Sequence, residues 1–215
     1  IISKQAVKMI KAATPNPYLN DIAIPSNHYY PISDIFDPNI ANICPDDIDD
    51  IILPILNLKN KPLQPRSLSG SFSASLGTVF INNSNGIDLW EKYTTVGCSN
   101  EVSLKDNGIP SSGFDWQTVC SLEDLNVKMI AENCYSMAKR GLKRRTIESG
   151  EYPIILSPIA VASFLIKPLT EAINAERIQN HMSFLSNHID KKIGSELLTL
   201  HDNPHFPGKI GTESF

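Results

Sequence analysis

Between Arg66 and Lys105 the sequence is written with a period of two. Leu68, Gly70, Phe72, Ala74 and Leu76 alternate with Ser67, Ser69, Ser71, Ser73 and Ser75. Successive side chains of a strand point to opposite faces, so the pattern predicts a half-exposed strand with one small, polar face. Val79-Phe80-Ile81 then runs into Asn82-Asn-Ser-Asn-Gly86. Asn and Gly tolerate the positive φ that a tight hairpin demands, so the chain turns here. Ile87 to Lys105 returns as a second long strand carrying Leu89, Trp90, Tyr93, Val96 and Val102. Asp106-Asn-Gly108 makes another turn, and Phe114 to Cys120 a further strand. Turns this short join antiparallel neighbours, so the middle of the chain is a β-meander.

Helices flank it. Ala6, Val7, Ile10 and Ala13 share one face of a helix from Ser3 to Ala13, opposite Lys4, Lys8 and Lys11. Thr14-Pro-Asn-Pro17 stops it, because proline cannot continue the ladder. An irregular, extended connection follows over 18–45, in which Tyr29 and Tyr30 are expected to pack. Pro45 and the aspartates Asp46, Asp47, Asp49 and Asp50 suit a helix start, with Ile48, Ile51, Ile52 and Ile55 as its buried stripe. The same aspartates lack the alternation, central Gly and distal Glu of a Ca²⁺ loop.

Ser121-Leu-Glu-Asp124 resembles a capping box ahead of a helix of about 20 residues, whose stripe is Leu125, Ile130, Cys134, Met137 and Ala138. Cys134 is a core residue on that stripe. Lys139 to Arg145 favours the negative pole of that helix. Glu151 to Ser157 reads as a short buried strand. Ser157-Pro158 opens another helix with the stripe Ala162, Leu165, Ile166, Leu169 and Ile173, which Pro168 should kink. Two short strands are expected near Ser183 and over Leu197–His201. Strands and helices are segregated, so the fold class is α+β, an antiparallel meander sheet packed by helices.

The 215 residues suffice for a sizeable core. Net charge is −4, so nucleic acid is not the default partner. No apolar run nears the roughly 20 residues of a membrane span. Cys44, Cys98, Cys120 and Cys134 are widely spaced, which fits reduced thiols in a cytoplasmic protein better than a disulfide scaffold. The chain opens on Ile1 and closes on Gly211-Thr-Glu-Ser-Phe215 without a terminating pattern, which suggests a fragment of something longer.

Chemistry is harder to find. The histidines are His28, His181, His188, His201 and His205. His201 and His205 are four apart, but Asp202-Asn-Pro204 between them denies a helix, so solvated turn residues are expected there rather than a metal site. No His-Glu-x-x-His or His-Glu-x-x-x-His run occurs, nor a nucleophile elbow or phosphate loop.

The second half carries a recognisable order of motifs. Gly150-Glu-Tyr-Pro-Ile-Ile-Leu-Ser-Pro-Ile-Ala160 leads into a helix. Ser183-Phe184, Lys192-Ile-Gly194, Leu198-Thr-Leu-His-Asp202 and Gly211-Thr-Glu-Ser-Phe215 follow. Together with the Phe80–Gly86 hairpin and Ser121-Leu-Glu-Asp-Leu125, this resembles the TldD/PmbA family, sometimes labelled modulators of DNA gyrase. The resemblance implies a full chain about twice this length. Residues 1–215 would be its N-terminal domain, with a sub-boundary near 146–150 and the C-terminal domain absent. It implies a hetero-oligomer in which TldD-type subunits carry His-Glu-x-x-x-His on the helix after the central strand. Here that helix reads Ile159 to Glu171, with Ser163, Lys167 and Thr170 where ligands are expected. None of these replaces a pair of imidazoles for zinc.

The resemblance therefore implies a PmbA-type subunit with no catalytic or metal residues of its own. Zinc is expected only in a partner subunit. Ser183, Gly194, Asp202 and Gly211 are the motif residues it offers for binding. The implied partners are a TldD-type metallopeptidase subunit or a second copy, and an extended peptide substrate, with no direct nucleic acid and no membrane. The complex would process leader peptides or degrade small unfolded proteins. Two alternatives stand beside it: an independent hydrolase with its site in the missing half, and a protein-binding regulator without catalysis. The serine face of the first strand would suit another chain or an extended peptide, or simply face solvent.

Overall fold

The fold is that of a computed structural model, which describes residues 2–15, 17–18, 21–26, 29–212 and 214. His28 and the Glu213 and Phe215 positions of the last motif lie outside the described residues. The described residues form α1 (Ile2–Ala12), α2 (Pro38–Ala41), α3 (Pro45–Leu56), β1 (Ser67–Asn82), β2 (Asp88–Asp106), β3 (Ile109–Val119) and α4 (Val127–Gly141). After these come α5 (Pro158–Val161), a π-helical turn (Ala162–Ile166), α6 (Lys167–Ala172) and α7 (Ala175–Gln179).

The sheet is a meander of order β1-β2-β3, antiparallel throughout. β1 pairs with β2 from Ser67↔Ser103 to Asn82↔Asp88 without an inserted residue. The Asn83 side chain builds the first hairpin, its Oδ1 accepting from the Asn85 and Ile87 N–H groups at 3.0 and 3.2 Å. Gly86 takes the positive φ of 98°. At the second hairpin Asn107 and Gly108 both have positive φ, 46° and 84°, the pair a two-residue type I′ turn requires.

Alternation along β2 places the core. Val96, Cys98, Asn100, Val102 and Leu104 are buried on one face. Across them lies α4, which buries Val127, Ile130, Ala131, Cys134, Tyr135 and Ala138. Leu58 joins this cluster, and Ile51 and Ile55 of α3 pack on it. Fully burying a side chain such as Ile130 contributes on the order of 2 kcal/mol. Gly113 of β3 sets how closely α4 approaches: a Cβ there would fall 2.1 Å from the Cys134 carbonyl oxygen.

Several expectations need correction. The capping box at Ser121 is not used. Asn126 caps α4 instead, accepting from the Met129 N–H at 2.9 Å, and the helix has 15 residues. Glu151 to Ser157 is not a strand; Ile154 and Ile155 are 73% and 101% exposed. An apolar run alone cannot make a strand without a neighbour to pair with. Ser183 and Leu197–His201 lie in turns and irregular backbone, not strands. The helix α1 forms, but it buries none of its stripe. Tyr29 and Tyr30 are exposed rather than packed in a core, with the Tyr30 ring 5.4 Å from that of His205. Pro168 follows a π-helical turn, where the ladder widens ahead of a residue with no N–H to give.

The chain divides into two units. One comprises Ile1–Arg144 with Asn203–Phe215, the other Arg145–Asp202. In the first, Ser214 fastens the closing stretch: its Oγ donates to Glu91 of β2, and the Ile32 N–H donates to that Oγ at 3.1 Å.

Candidate functional site

The helical run of the second unit begins as its sequence dictates. Ser157 caps it, accepting from the Ala160 N–H at 3.3 Å, and Pro158 occupies the first helical position. Leu169 and Ile173 at its far end wall a cavity of about 340 Å³ with Ile193, Gly194 and Leu198. Ser183 is tied to the same end of the helix, its Oγ donating to the Ala172 carbonyl at 2.6 Å. Two motif residues, Ser183 and Gly194, thus converge on α6. Asp202 is exposed and makes no side-chain hydrogen bond among the described residues. Gly211 belongs to the first unit, with a φ of 75° and nothing within 4 Å of where a Cβ would sit.

The positions aligned with metal ligands carry other chemistry. Ser163 and Lys167 are exposed. Thr170 donates its hydroxyl hydrogen to the Lys167 carbonyl at 2.9 Å, an intrahelical bond. Glu171 is held by the Arg177 guanidinium at 2.6 Å. A cationic lysine and two engaged or neutral oxygens do not fit a Zn²⁺ centre, which takes imidazole, thiolate and free carboxylate. Among the described residues no group of three His, Cys, Asp or Glu side chains is gathered as a metal site. His201 is exposed, and the His205 N–H donates to Asn203 Oδ1 at 3.0 Å in a turn.

The first unit holds three polar features that sequence reasoning missed. Asp37, 8% exposed, accepts from the Leu122 N–H and Ser121 Oγ through Oδ2 and from the Asn39 N–H through Oδ1. The Leu122 bond above all holds its carboxyl below the usual range, against the opposing effect of burial. Thr94, fully buried, accepts from the Asp37 N–H at 2.8 Å and donates to the Cys120 carbonyl at 3.0 Å. Partners so distant in sequence leave no local signal. The third feature is Asn100, described below. The cysteines are free, and Cys98, Cys120 and Cys134 are buried. Burial first, and the Asp115 carboxylate second, push the Cys134 thiol up to about 11, so it is no nucleophile at neutral pH.

A cavity of about 180 Å³ lies between Ile52, Ile55 and Leu56 of α3 and Leu68 to Phe72 of β1. Asn100 lines it, and its side chain is fully buried with neither Oδ1 nor Nδ2 partnered among the described residues.

Family comparison gives these parts a context. The family model described as the PmbA/TldA metallopeptidase central domain matches residues 48–142. The one described as the PmbA/TldA metallopeptidase C-terminal domain matches 149–215. The stretch expected as an N-terminal domain thus carries matches to central and C-terminal models. A metalloprotease PmbA homolog of Buchnera aphidicola is 26% identical over 149 residues, 68% of this chain and 33% of that protein. An uncharacterized protein of Methanocaldococcus jannaschii is 29% identical over 136 residues, 63% of this chain and 31% of that one. The chain therefore spans about a third of the curated relatives it matches.

Among solved structures, a proposed modulator of DNA gyrase from Bacteroides thetaiotaomicron superposes with a TM-score of 0.85 at 24% identity, covering 99% of this chain and 49% of that one. TldE from Thermococcus kodakarensis superposes at 0.71 with 20% identity, covering 98% and 47%. These likenesses establish the fold. No helix among the described residues is long and apolar enough to cross a membrane. With both family models matched in order along one chain, the protein belongs to the PmbA/TldD family.

Proposed function

We propose that this chain is the non-catalytic, PmbA-type subunit of a metallopeptidase complex that processes leader peptides or degrades small unfolded proteins. The observation that carries the reading is the helical run from Pro158 to Ala172. It presents Ser163, Lys167 and Thr170 where a TldD-type subunit needs its ligands, and its Glu171 is engaged by Arg177. A zinc ion in the complex then belongs to the partner subunit. This chain supplies structure: it docks on a TldD-type subunit or on a second copy and helps enclose an extended peptide. Ser183, Gly194, Asp202 and Gly211 are its binding residues, and it works in the cytoplasm. It is the portion of a chain about twice as long that carries an internal division near 146–150.

The test uses the full-length protein with and without a TldD-type partner. Bound zinc and cleavage of an unfolded peptide are measured on each and on the mixture. The expected result is no zinc and no cleavage alone, and an active complex together. Stoichiometric zinc and cleavage by this protein alone would sink the reading. A second reading, a regulator without catalysis, is favoured by the gyrase-modulator description of two structural neighbours. It predicts a change in gyrase supercoiling on adding the protein, with no peptidase activity in any mixture.

A further inference from the structure

We propose that the groove between α3 and the free edge of β1 docks an extended peptide by strand addition, taking an aliphatic side chain in the cavity and a basic residue beside Asp49. β1 is the edge of the sheet. Edge strands are ordinarily blunted by charge, proline or a bulge, because their unpaired backbone groups recruit other strands. β1 has none of these in sixteen residues, SLSGSFSASLGTVFIN, and its register with β2 is uninterrupted. Apart from its ladder with β2, no backbone hydrogen bond to β1 is made among the described residues. An edge beside a helix is the arrangement that strand-addition domains use: main-chain bonds give affinity, and a pocket for an alternate side chain gives selectivity.

The pocket is present. Ile52, Ile55 and Leu56 form one wall, Leu68 and Phe72 the other. About 180 Å³ is below the roughly 300–1,000 Å³ that holds a whole small molecule, and suits one side chain. Gly70 stands opposite Asn100 in the ladder, so no β1 side chain covers that position. The buried Asn100 amide, unpartnered among the described residues, offers a donor and an acceptor in the lining of an otherwise mostly apolar site. Buried polar groups without partners are rare and point to something that completes them.

Charge chooses the occupant. Asp49, Ile52 and Leu56 are spaced i, i+3, i+7 and share one stripe of α3. Asp49 is exposed and has no ion partner among the described residues. A cation on the incoming segment meets it there. A second copy of β1 carries no charged residue and offers nothing to that carboxylate. The inference goes beyond the subunit role, since binding is read on this protein without any partner.

The probe is a fluorescein-labelled, end-blocked peptide, Lys-Thr-Val-Leu-Val-Thr, titrated with the full-length protein by anisotropy. Saturable binding is expected. N-methylating alternate peptide amides, which removes the edge bonds, should weaken it about tenfold or more. Ile52→Lys should do the same, and Leu56→Lys, at a position 40% exposed, repeats the test if that variant does not fold. Asp49→Asn, or Glu in place of the peptide Lys, should cost about threefold. No binding at millimolar protein, or equal binding of the N-methylated peptide, overturns the proposal. So do β1 amides that exchange as slowly as those of β2 in the free full-length protein, which would mean that its own chain covers the edge. A dimer lost in Ile52→Lys, without peptide binding in the parent, would assign the groove to a second copy and overturn it equally.

Discussion

The two units treat their apolar residues in opposite ways. In the first, β2 supplies a flat row of alternate residues, and α4 lays six buried side chains across it. In the second, Ala172 and Leu185 are the only buried hydrophobics among the described residues, while Ile155, Phe164 and Leu197 stand 101%, 78% and 97% exposed. The difference is the sheet. A strand ladder satisfies its own backbone and leaves a whole face free to pack. The second unit has no strand, and side chains do the work of a ladder: Ser157 and Asn174 cap helices, and Ser183 and Ser195 hold turns. Those residues organise backbone without building a core. A region with few buried contacts opens at low free energy, and exposed apolar groups in number mark a surface that another body covers.

The comparison breaks first at Gly113. Gly113→Val would push a Cβ to 2.1 Å from the Cys134 oxygen and 2.7 Å from the Ala138 nitrogen, both backbone atoms of α4. A loss on the order of 4 kcal/mol or more is expected, among the largest single-residue effects. Urea unfolding followed by α-helical circular dichroism measures it. A loss under about 1 kcal/mol would mean that α4 slides freely on the sheet and that the first unit is no better built than the second. Ile130→Ala comes next, at about 2–5 kcal/mol for a fully buried side chain in a close-packed cluster. The same denaturation reads it, and a value near zero would place the core elsewhere.

The sheet was the legible part of this fold, because its signals are local. Serine alternation and the Asn-Gly turn each lie within a few residues, and the hairpin fell where they predict. The start of α4 was illegible for the opposite reason. Ser121 has the right spacing for a cap, but its hydroxyl and the Leu122 N–H bond to Asp37, more than 80 residues earlier, and Asn126 caps instead. The Ile-rich run at 154–156 reads as a strand in isolation and finds no strand to join. The candidate sites divide likewise. The Ser157-Pro158 helix start was plain, whereas the groove by α3 joins elements whose meeting only the tertiary fold reveals, and Asn100 sits unmarked within an apolar strand.

Asp37 sharpens the contrast at a polar position. Asp37→Asn keeps the shape but removes the charge that the Leu122, Ser121 and Asn39 donors surround, and about 1–3 kcal/mol should be lost near neutral pH. The sign of the pH effect follows from the direction of the shift. The folded carboxyl titrates below its unfolded counterpart at about 3.9. Its contribution is therefore fully present above that value and fades as pH falls through the lower, folded one. Melting from pH 6 to pH 2 should show a shallower acid loss in Asp37→Asn than in the parent. Parallel curves would mean that the carboxylate gains nothing from folding.

The smallest effect is expected in the second unit, and it discriminates best. Ile155→Ser changes a side chain that the isolated chain leaves wholly exposed. Its stability should move by no more than about 0.5 kcal/mol, the range of ordinary surface substitutions. If the exposed apolar residues of that unit serve a partner, the same change should weaken assembly with a TldD-type subunit, read as a shift in the midpoint of complex formation. Unchanged stability with weakened assembly makes the surface an interface, because only the bound state then buries the residue. Unchanged stability with unchanged assembly makes Ile155 a bystander, and the interface must be sought at Phe164 or Leu197. A large loss in the free protein would contradict the comparison itself, since a residue that touches nothing cannot hold a fold together.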